Sequence, residues 1–393
     1  MRVEHLPAPM RNIDAELAEL DRRGLRRRRL VLESAQGAHV RVGGQNYLSF
    51  CSNDYLGLAA DPRLAQAAAK SMLDDGVGAG ASHLVSGHHR RHEDLERALA
   101  DYVGAPRALL FSCGYLANLG LVTVLAGRTS EIFADRLNHA SLNDAMLLTR
   151  GRYQRYAHCD TTELEARLAA SSSAGKTVIT DAVFSMDGDI APLAQIAHLC
   201  ERYGAWLVVD DAHGFGVLGE QGRGALAHFG LASHRIAYVG TLGKAAGVAG
   251  AFVAGSEQLI ELLIQRARAY VYTTATPPAL AAALSKSLEI MQAEQWRRDR
   301  LAALIERMNS AQLRRWRLLS SPTAIQPLIV GDNAQTMALS QLLETGGILV
   351  PAIRPPTVPK GTARLRISLS AAHAVTDVDR LIEALRRAES ALA

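Results

Sequence analysis

The chain has 393 residues, more than the roughly 250–300 at which one hydrophobic core stops growing, so we expect more than one domain. Its formal net charge of +4 permits anionic small substrates without indicating nucleic acid, and no run of about 18 apolar residues predicts a membrane span. The four cysteines are dispersed and the N-terminal residues lack an apolar signal segment, which is typical of a reduced, cytoplasmic protein.

The predicted elements divide the chain into three regions. Residues 1–48 carry a polar amphipathic helix, within 11–32, and a short extended arm. From 49 to 283, short apolar runs alternate with helical patterns, which predicts a mainly parallel sheet with helices on both faces. After an Ala-rich helical stretch from Pro278 to about Met308, short β-rich runs surround one helix and a closing helix follows. Residues 284–393 therefore predict a smaller α+β domain.

Polar side chains follow five apolar runs of the middle region, at the point where each predicted strand ends. Ligands of open parallel sheets collect outside the carboxyl ends of the strands, so we expect these groups to form one site. The strand candidates are RALLFS, EIFAD, TVITDAVF, AWLVVDD, IAYVGTLG and GAFVAG. The groups that follow them are Gly114 and Tyr115 at a helix start, Asp135, Asn138 and His139, then Ser185, Asp187 and Gly188, then Asp210 and His213, and finally Thr241 and Lys244.

Asp210 and Lys244 indicate a ligand between two strand ends. A carboxylate at the buried end of a strand costs free energy unless a cation or donor meets it. VGTLGKAAG does not fit a phosphate-binding P-loop, because the lysine follows its glycines too soon and Ala245 replaces the hydroxyl needed for magnesium. A phosphate cradle, an imidazole, a buried carboxylate and a lysine together suit pyridoxal 5'-phosphate (PLP). Its aldehyde condenses with a lysine amine, and its protonated ring nitrogen pairs with an aspartate.

Three other patterns have simpler interpretations. His88 and His92 lie four residues apart on one predicted helix, but no H-E-x-x-H motif and no completing ligand set accompany them, so we predict no metal site. The arginine run at 26–29 lacks the aromatic residues typical of nucleic-acid binding, and we expect it to contact an anion or solvent. Asp211 is expected to cap a turn.

Several long motifs resemble the α-oxoamine synthases, from about residue 10 to the C-terminus. They are SNDYLGL (52–58), SHLVSGHHRRHEDLE (82–96), ADRLNHASL (134–142), VFSMDG (183–188), VVDDAHGFGVLGEQGRG (208–224), TLGKAAGVAGA and YTTATPP. The resemblance implies the type I, aspartate-aminotransferase-like α/β fold, PLP as cofactor, acyltransferase activity and a homodimer. AIRPPTVPKGTARLRISLSAAH (352–373), with the 82–96 motif, is similar to the branch that condenses L-alanine with a pimeloyl thioester in biotin biosynthesis. Pimeloyl-CoA and a pimeloyl-carrier protein both remain open as the acyl donor.

The resemblance also implies roles for the residues around the cofactor. Lys244 would hold the cofactor and act as base and acid at the substrate Cα. Asp210 would pair with the pyridine nitrogen, His213 would hydrogen-bond the ring hydroxyl, and His139 would stack on the ring. The remaining cofactor contacts would be Ser185 near the ring hydroxyl, then Gly114, Tyr115 and Thr241 at the phosphate, and Thr274 reaching the phosphate from a partner subunit.

The same resemblance implies the substrate contacts. Asn53 would lie near the substrate. Arg354 would hold the amino-acid carboxylate, since a guanidinium matches a carboxylate with two bonds, and Arg366 is the rival for this role. Thr357 and one arginine of the 26–29 run, Arg26 or Arg27, would contact the acyl substrate.

Overall fold

A computed structural model describes residues 12–27 and 29–392. Residues 1–11 of the predicted N-terminal region, Arg28 of the arginine run and Ala393 lie outside these ranges. The described chain is built on a seven-stranded sheet and two smaller sheets of four and three strands. The strands are β1 (His39–Val42), β2 (Gln45–Ser49), β3 (Arg107–Phe111), β4 (Ser130–Asp135), β5 (Arg152–Tyr156), β6 (Gly175–Asp181), β7 (Trp206–Asp210), β8 (Ile236–Thr241), β9 (Ala251–Gly255), β10 (Arg317–Leu318), β11 (Ile325–Gly331), β12 (Ile348–Leu349), β13 (Ala352–Ile353) and β14 (Ala363–Ser368).

The large sheet has the strand order β3-β9-β8-β7-β6-β4-β5. β9 runs antiparallel to both of its neighbours, and the pairs from β8 to β5 are parallel. This confirms the predicted mainly parallel sheet, and each of the six predicted strands forms a strand of it. Every position of β4 and β9 is buried, because elements pack on both faces of the sheet.

Helices cover the two faces of the large sheet. Side chains of α4, α5 and α9 pack on one face, and those of α6 and α7 pack on the other. Within the described ranges, no helix is long and apolar enough to span a membrane. The helices are α1 (Ile13–Arg22), α2 (Pro62–Asp75), α3 (Arg90–Val103), α4 (Gly114–Leu125), α5 (Ala140–Leu148), α6 (Thr161–Ala170), α7 (Leu193–Tyr203), α8 (Ala225–Phe229), α9 (Glu257–Arg266), α10 (Arg268–Val271), α11 (Pro278–Ala293), α12 (Trp296–Asn309), α13 (Asn333–Thr345) and α14 (Val375–Ala391).

The C-terminal region forms an antiparallel sheet of order β10-β11-β14-β13. The predicted Ala-rich helical stretch is two helices, α11 and α12, which are separated at Glu294 and Gln295. β12 pairs with β2, so the C-terminal region completes the sheet that the N-terminal arm begins. The amide of Ser368 at the end of β14 donates to the carbonyl of Phe50 at 2.9 Å, which holds β14 beside the large domain. The boundaries at 48 and 283 stay a prediction.

Candidate active site

A cavity of about 460 Å³ lies at the carboxyl ends of the parallel strands. Most of the groups that the sequence placed at this edge line it, as the convergence of strand ends requires. The predicted residues among its lining are Asn53, Gly114, Tyr115, His139, Asp210, His213, Thr241 and Lys244. Ser112, Cys113, Ser141, Asp181 and Ala212 line it as well.

One end of the cavity is the N-terminus of α4. The residue before this helix, Cys113, makes no side-chain cap, so the first backbone N–H groups of the helix are free for a ligand. By contrast, α2 begins with a side-chain cap from Asp61. A Cβ added to Gly114 would lie 2.7 Å from Cγ2 of Thr241, so any larger residue at that position would require Thr241 to shift. Free N–H groups and the helix dipole suit this end of the cavity to a phosphate.

Asp210 ends β7, lines the cavity and is 4% exposed. Its Oδ1 accepts the amide of Ala212 at 3.0 Å, and its Oδ2 accepts Nδ2 of Asn118 at 2.6 Å. Asn118 also donates to the hydroxyl of Ser141 at 2.9 Å. Each carboxylate oxygen therefore accepts one hydrogen bond. The carboxylate lines the cavity, and a cationic ring nitrogen bound there would offset the remaining free-energy cost of burying its charge.

Lys244 follows β8 and points at an imidazole. Its Nζ lies 3.0 Å from Nε2 of His213, and Nδ1 of the same ring lies 2.6 Å from the hydroxyl of Tyr55. Burial lowers the pKa of Lys244 to about 8, although the charge of Asp210 opposes this shift. Burial and the neighbouring lysine place the pKa of His213 well below its ordinary value, so the ring is neutral. A lysine with this pKa supplies the neutral amine that covalent and proton-transfer chemistry both need.

His139 lies at the start of α5, on the cavity wall. Its backbone N–H donates to Oδ2 of Asp181 at 2.7 Å, and its Nδ1 accepts the amide of Ser141 at 3.3 Å. Burial, together with the charge of Asp210, raises the pKa of Asp181 well above its ordinary value. The end of β6 therefore fixes the backbone from which the imidazole projects.

Arg366 of β14 reaches the same edge from the C-terminal region. It is 6% exposed, and its Nε donates to the carbonyl of Ser185 at 2.6 Å. Its Nη1 donates to Oδ1 of Asn53 at 3.1 Å and to the hydroxyl of Ser368 at 2.7 Å. Arg366, Ser185 and Asn53 thus form one hydrogen-bonded group beside the cavity.

Five predicted residues lie elsewhere in the single chain. The guanidinium of Arg354 donates to the carbonyl of Gly24, so it ties the C-terminal region to the N-terminal arm. Thr357 is exposed on the loop after Arg354. Thr274 is exposed and pairs with Ser82 in an isolated bridge. Arg26 and Arg27 are exposed and line a separate open cavity of about 880 Å³.

Among the buried residues of the site that were not predicted are Tyr55, Asn118 and Asp181. Each acts on another side chain, Tyr55 on His213, Asn118 on Asp210 and Asp181 on His139. Asp181 ends the apolar run VITD, and this position at a strand end could have identified it.

Asp211 and one of the two histidines, His92, make hydrogen bonds within the fold. Oδ2 of Asp211 accepts the amide of Ala225 at 2.7 Å and the hydroxyl of Tyr238 at 2.8 Å, as expected for a capping residue. Nδ1 of His92 accepts the amide of His89 at 3.0 Å, and its Nε2 lies 2.8 Å from the carbonyl of Thr276. Both ring nitrogens of His92 are therefore used within the fold.

The site fits PLP on three observations. The cavity is lined by the uncapped N-terminus of α4, which begins at Gly114, and by the buried carboxylate of Asp210. It is also lined by Lys244, whose pKa is low enough to supply a neutral amine. The groups that would hold the cofactor are Gly114, Tyr115 and Thr241 at the phosphate, Asp210 at the ring nitrogen, His139 and His213 at the ring, and Lys244 at the aldehyde.

The chain is similar to known PLP-dependent proteins. The family model described as aminotransferase class I and II matches residues 45–385. An 8-amino-7-oxononanoate synthase from Nitrosospira multiformis is 60% identical over 365 residues, which cover 93% of this chain and 92% of that protein. The same enzyme from Herminiimonas arsenicoxydans is 57% identical over 383 residues, which cover 96% and 99%.

Solved structures show the same fold. A serine palmitoyltransferase from S. paucimobilis, bound to PLP and myriocin, superposes with a TM-score of 0.91 at 28% identity, covering 96% of this chain and 97% of that one. An 8-amino-7-oxononanoate synthase from Francisella tularensis superposes with a TM-score of 0.76 at 29% identity, covering 88% and 98%. The chain belongs to the class I and II aminotransferase family and, within it, to the 8-amino-7-oxononanoate synthases, which are PLP-dependent acyltransferases.

Proposed function

We propose that the protein condenses L-alanine with a pimeloyl thioester to give 8-amino-7-oxononanoate, CO2 and free thiol, a reaction of biotin biosynthesis. The observation that carries this proposal is the convergence of Lys244, Asp210 and the α4 N-terminus on one cavity, in a chain 60% identical to an enzyme of that name. When bound, PLP would supply an electron sink for the carbanion at Cα.

Lys244 is the residue that moves the Cα proton in this proposal. Its neutral amine accepts the proton from Cα of alanine and later returns one at the same atom. Asp210 keeps the ring nitrogen of the cofactor charged, which a neutral residue in its place would not do. His139, at the start of α5, would stack on the ring face, and Ser185 would lie near the ring hydroxyl beside His213.

Arg366 holds the alanine carboxylate in our proposal, in preference to Arg354. Arg366 is buried beside the cavity and is bonded to Asn53, which lines it. Arg354 instead donates to the carbonyl of Gly24 in the N-terminal arm. A guanidinium already held on one edge presents its remaining N–H groups in a fixed direction, which suits carboxylate recognition.

The acyl donor is assigned to the surface formed by the arm and the 354–362 loop. Arg354 joins these two segments through Gly24, which supports contacts to the acyl substrate from Thr357 and from Arg26 or Arg27. Arg26, Arg27 and Arg29 line the cavity of about 880 Å³. Their charges suit the anionic groups of CoA and of a pimeloyl-carrier protein equally.

A homodimer is part of the proposal. Thr274 is exposed, and Tyr272, close to it in sequence, is 72% exposed. Val85 is 79% exposed and lies close in sequence to Ser82, with which Thr274 pairs in an isolated bridge. Exposed apolar side chains of this kind are typical of subunit interfaces. Thr274 would then reach the cofactor phosphate of the partner subunit.

Thiol release by the PLP-loaded protein tests the proposed function. L-alanine and glycine are each combined with pimeloyl-CoA and acetyl-CoA, and free thiol is measured. We expect release only with L-alanine and pimeloyl-CoA. Release with glycine instead would move the protein to a sister acyltransferase activity. Absence of release from all four pairs, repeated with pimeloyl-carrier protein, would contradict the proposal.

A further inference from the structure

A chain of hydrogen bonds runs from Arg366 to Lys244 through three side chains that lie between them. Nη1 of Arg366 donates to Oδ1 of Asn53 at 3.1 Å, and the hydroxyl of Tyr55 donates to the same oxygen at 3.2 Å. The Tyr55 hydroxyl lies 2.6 Å from Nδ1 of His213, and Nε2 of that ring lies 3.0 Å from Nζ of Lys244.

The direction of the protons along this chain follows from Asn53. Oδ1 of Asn53 accepts hydrogen bonds from Arg366 and from the Tyr55 hydroxyl. Because the Tyr55 hydrogen points to Asn53, the tyrosine oxygen can itself accept a hydrogen bond. Nδ1 of His213 then carries the proton and donates to Tyr55. Nε2 is left bare and accepts from Lys244, so each link has one donor and one acceptor. Burial keeps His213 neutral, so one of its two ring nitrogens carries a proton, and this arrangement assigns that proton to Nδ1.

We propose that Tyr55 is a positioning residue that fixes the His213 tautomer and so connects the carboxylate-binding arginine to the lysine that moves the Cα proton. This inference rests on the proposed function and adds a residue to it. Tyr55 is 1% exposed and packs within the main hydrophobic core, so its hydroxyl is held in one place. It touches neither the substrate nor Lys244 directly in this role.

The tautomer matters because Lys244 changes charge during the reaction. A bare Nε2 accepts from the ammonium that forms when Lys244 takes the Cα proton, and this hydrogen bond stabilises the charged lysine. A protonated Nε2 would instead direct a hydrogen at Lys244 and oppose that charge. The other charged or titratable groups that act on Lys244 or share its cavity are Asp181, Asp210, Asp211, His139 and Arg366. Tyr55 interacts with Arg366, but Arg366 keeps its hydrogen bonds to Ser185 and Asn53 when the Tyr55 hydroxyl is removed.

The test compares Tyr55→Phe with Tyr102→Phe in the PLP-loaded protein. Tyr102 is a matched control, because it is also buried and its hydroxyl also makes a hydrogen bond, to the carbonyl of Gln221 at 2.7 Å, but it acts on neither His213 nor Lys244. Solvent-deuterium exchange at Cα of L-alanine is measured against pH and alanine concentration. The visible absorbance of the bound cofactor is titrated with pH in the same samples.

For Tyr55→Phe we expect the exchange rate to fall about 10- to 100-fold, the size of the loss when a metal-binding histidine loses the hydrogen-bond partner of its other ring nitrogen. The KM for alanine should stay close to that of the native protein. The acidic limb of the pH profile and the absorbance titration should move to lower pH, because the charged lysine loses support. Tyr102→Phe should match the native protein in all of these measurements.

Two results would overturn the inference. One is a Tyr55→Phe profile and absorbance titration identical to those of the native protein, whatever the rate. The other is an equal loss in both variants, which would indicate a general effect on the fold. If native protein itself fails to exchange the alanine Cα proton, the proposed function fails, and that outcome is distinct from both.

Discussion

Nδ2 of Asn118 lies 2.6 Å from Oδ2 of Asp210, and this hydrogen bond joins helix α4 to the end of strand β7. The same helix presents its uncapped N-terminus to the phosphate end of the cavity. One helix therefore fixes the distance between its own N-terminus and the Asp210 carboxylate. If PLP binds as proposed, α4 would position the groups at both its phosphate and its ring nitrogen.

Asp210→Asn separates cofactor binding from carbanion chemistry. The amide keeps the shape of the side chain and can still accept the amide of Ala212, so we expect PLP to be retained. It carries no negative charge to keep the ring nitrogen protonated, so exchange of the alanine Cα proton should fall by about 100-fold or more. Near-native exchange in a PLP-loaded Asp210→Asn protein would refute the electron-sink role.

Gly114→Ala tests the phosphate cradle. The new Cβ would lie 2.7 Å from Cγ2 of Thr241, and overpacking of this kind typically costs ~1–3 kcal/mol. We expect the Kd for PLP, measured by absorbance on apoprotein, to rise about 10- to 100-fold. Gly127→Ala is the control, since nothing lies within 4 Å of its Cβ position. An unchanged Kd in Gly114→Ala would remove the α4 N-terminus from the cofactor site.

Arg366→Lys and Arg354→Lys decide which arginine holds the alanine carboxylate. Lysine keeps the charge but loses the planar fork, and charge-assisted hydrogen bonds contribute ~1.5–3 kcal/mol. We expect Arg366→Lys to raise the KM for L-alanine about 10- to 100-fold while the KM for the acyl thioester changes little. Arg354→Lys should leave the alanine KM unchanged. The reverse pattern would return the role to Arg354.

His158 gives the fold a pH-dependent contribution to stability outside the cavity. Its Nδ1 lies 3.1 Å from Oδ1 of Asp135 and its Nε2 lies 2.7 Å from Oδ2 of Asp189, so it bridges the end of β4 and the loop after Phe184. Burial opposes its charge, but the hydrogen bonds to these two carboxylates outweigh burial and raise the pKa of His158 to about 12.

The sign of the His158 contribution follows from that shift. A histidine with a folded-state pKa above its ordinary value of about 6.5 stabilises the folded state fully below that value, and the contribution is lost as pH rises toward 12. Urea unfolding of the native protein and His158→Gln should therefore differ most at pH 6 and below, and the difference should shrink at alkaline pH. A difference that grows as pH rises would contradict the charged bridge.

The sequence predicted the central sheet because its strands are buried on both faces. In runs such as AWLVVD, apolar and polar residues need not alternate, because helices cover both faces of the sheet. The runs are also too short to be predicted as helices. β5, with the sequence RYQRY, was missed. It lies at the edge of the sheet and buries only its last residue, so no apolar run marks it.

The site residues also fall into two groups: those that the ends of predicted strands identify, and those that only the folded structure brings together. Lys244, Asp210 and His213 are visible because polar groups interrupt apolar runs at one edge. Tyr55 meets His213 across 158 residues of sequence, and Arg366 meets Ser185 across 181, so neither pairing has a local pattern. The choice between Arg354 and Arg366 likewise depends on the register of β14 against β11, which places Arg366 opposite Pro327.

The most direct measurement of the proposed activity follows the carboxyl carbon of the amino acid. The PLP-loaded protein is given carboxyl-labelled L-alanine and pimeloyl-CoA, and labelled CO2, free thiol and the keto product are quantified together. We predict equal amounts of CO2 and thiol, with no label left in 8-amino-7-oxononanoate. Label retained in pyruvate without thiol release would show transamination, and would contradict the proposed condensation of L-alanine with the pimeloyl thioester.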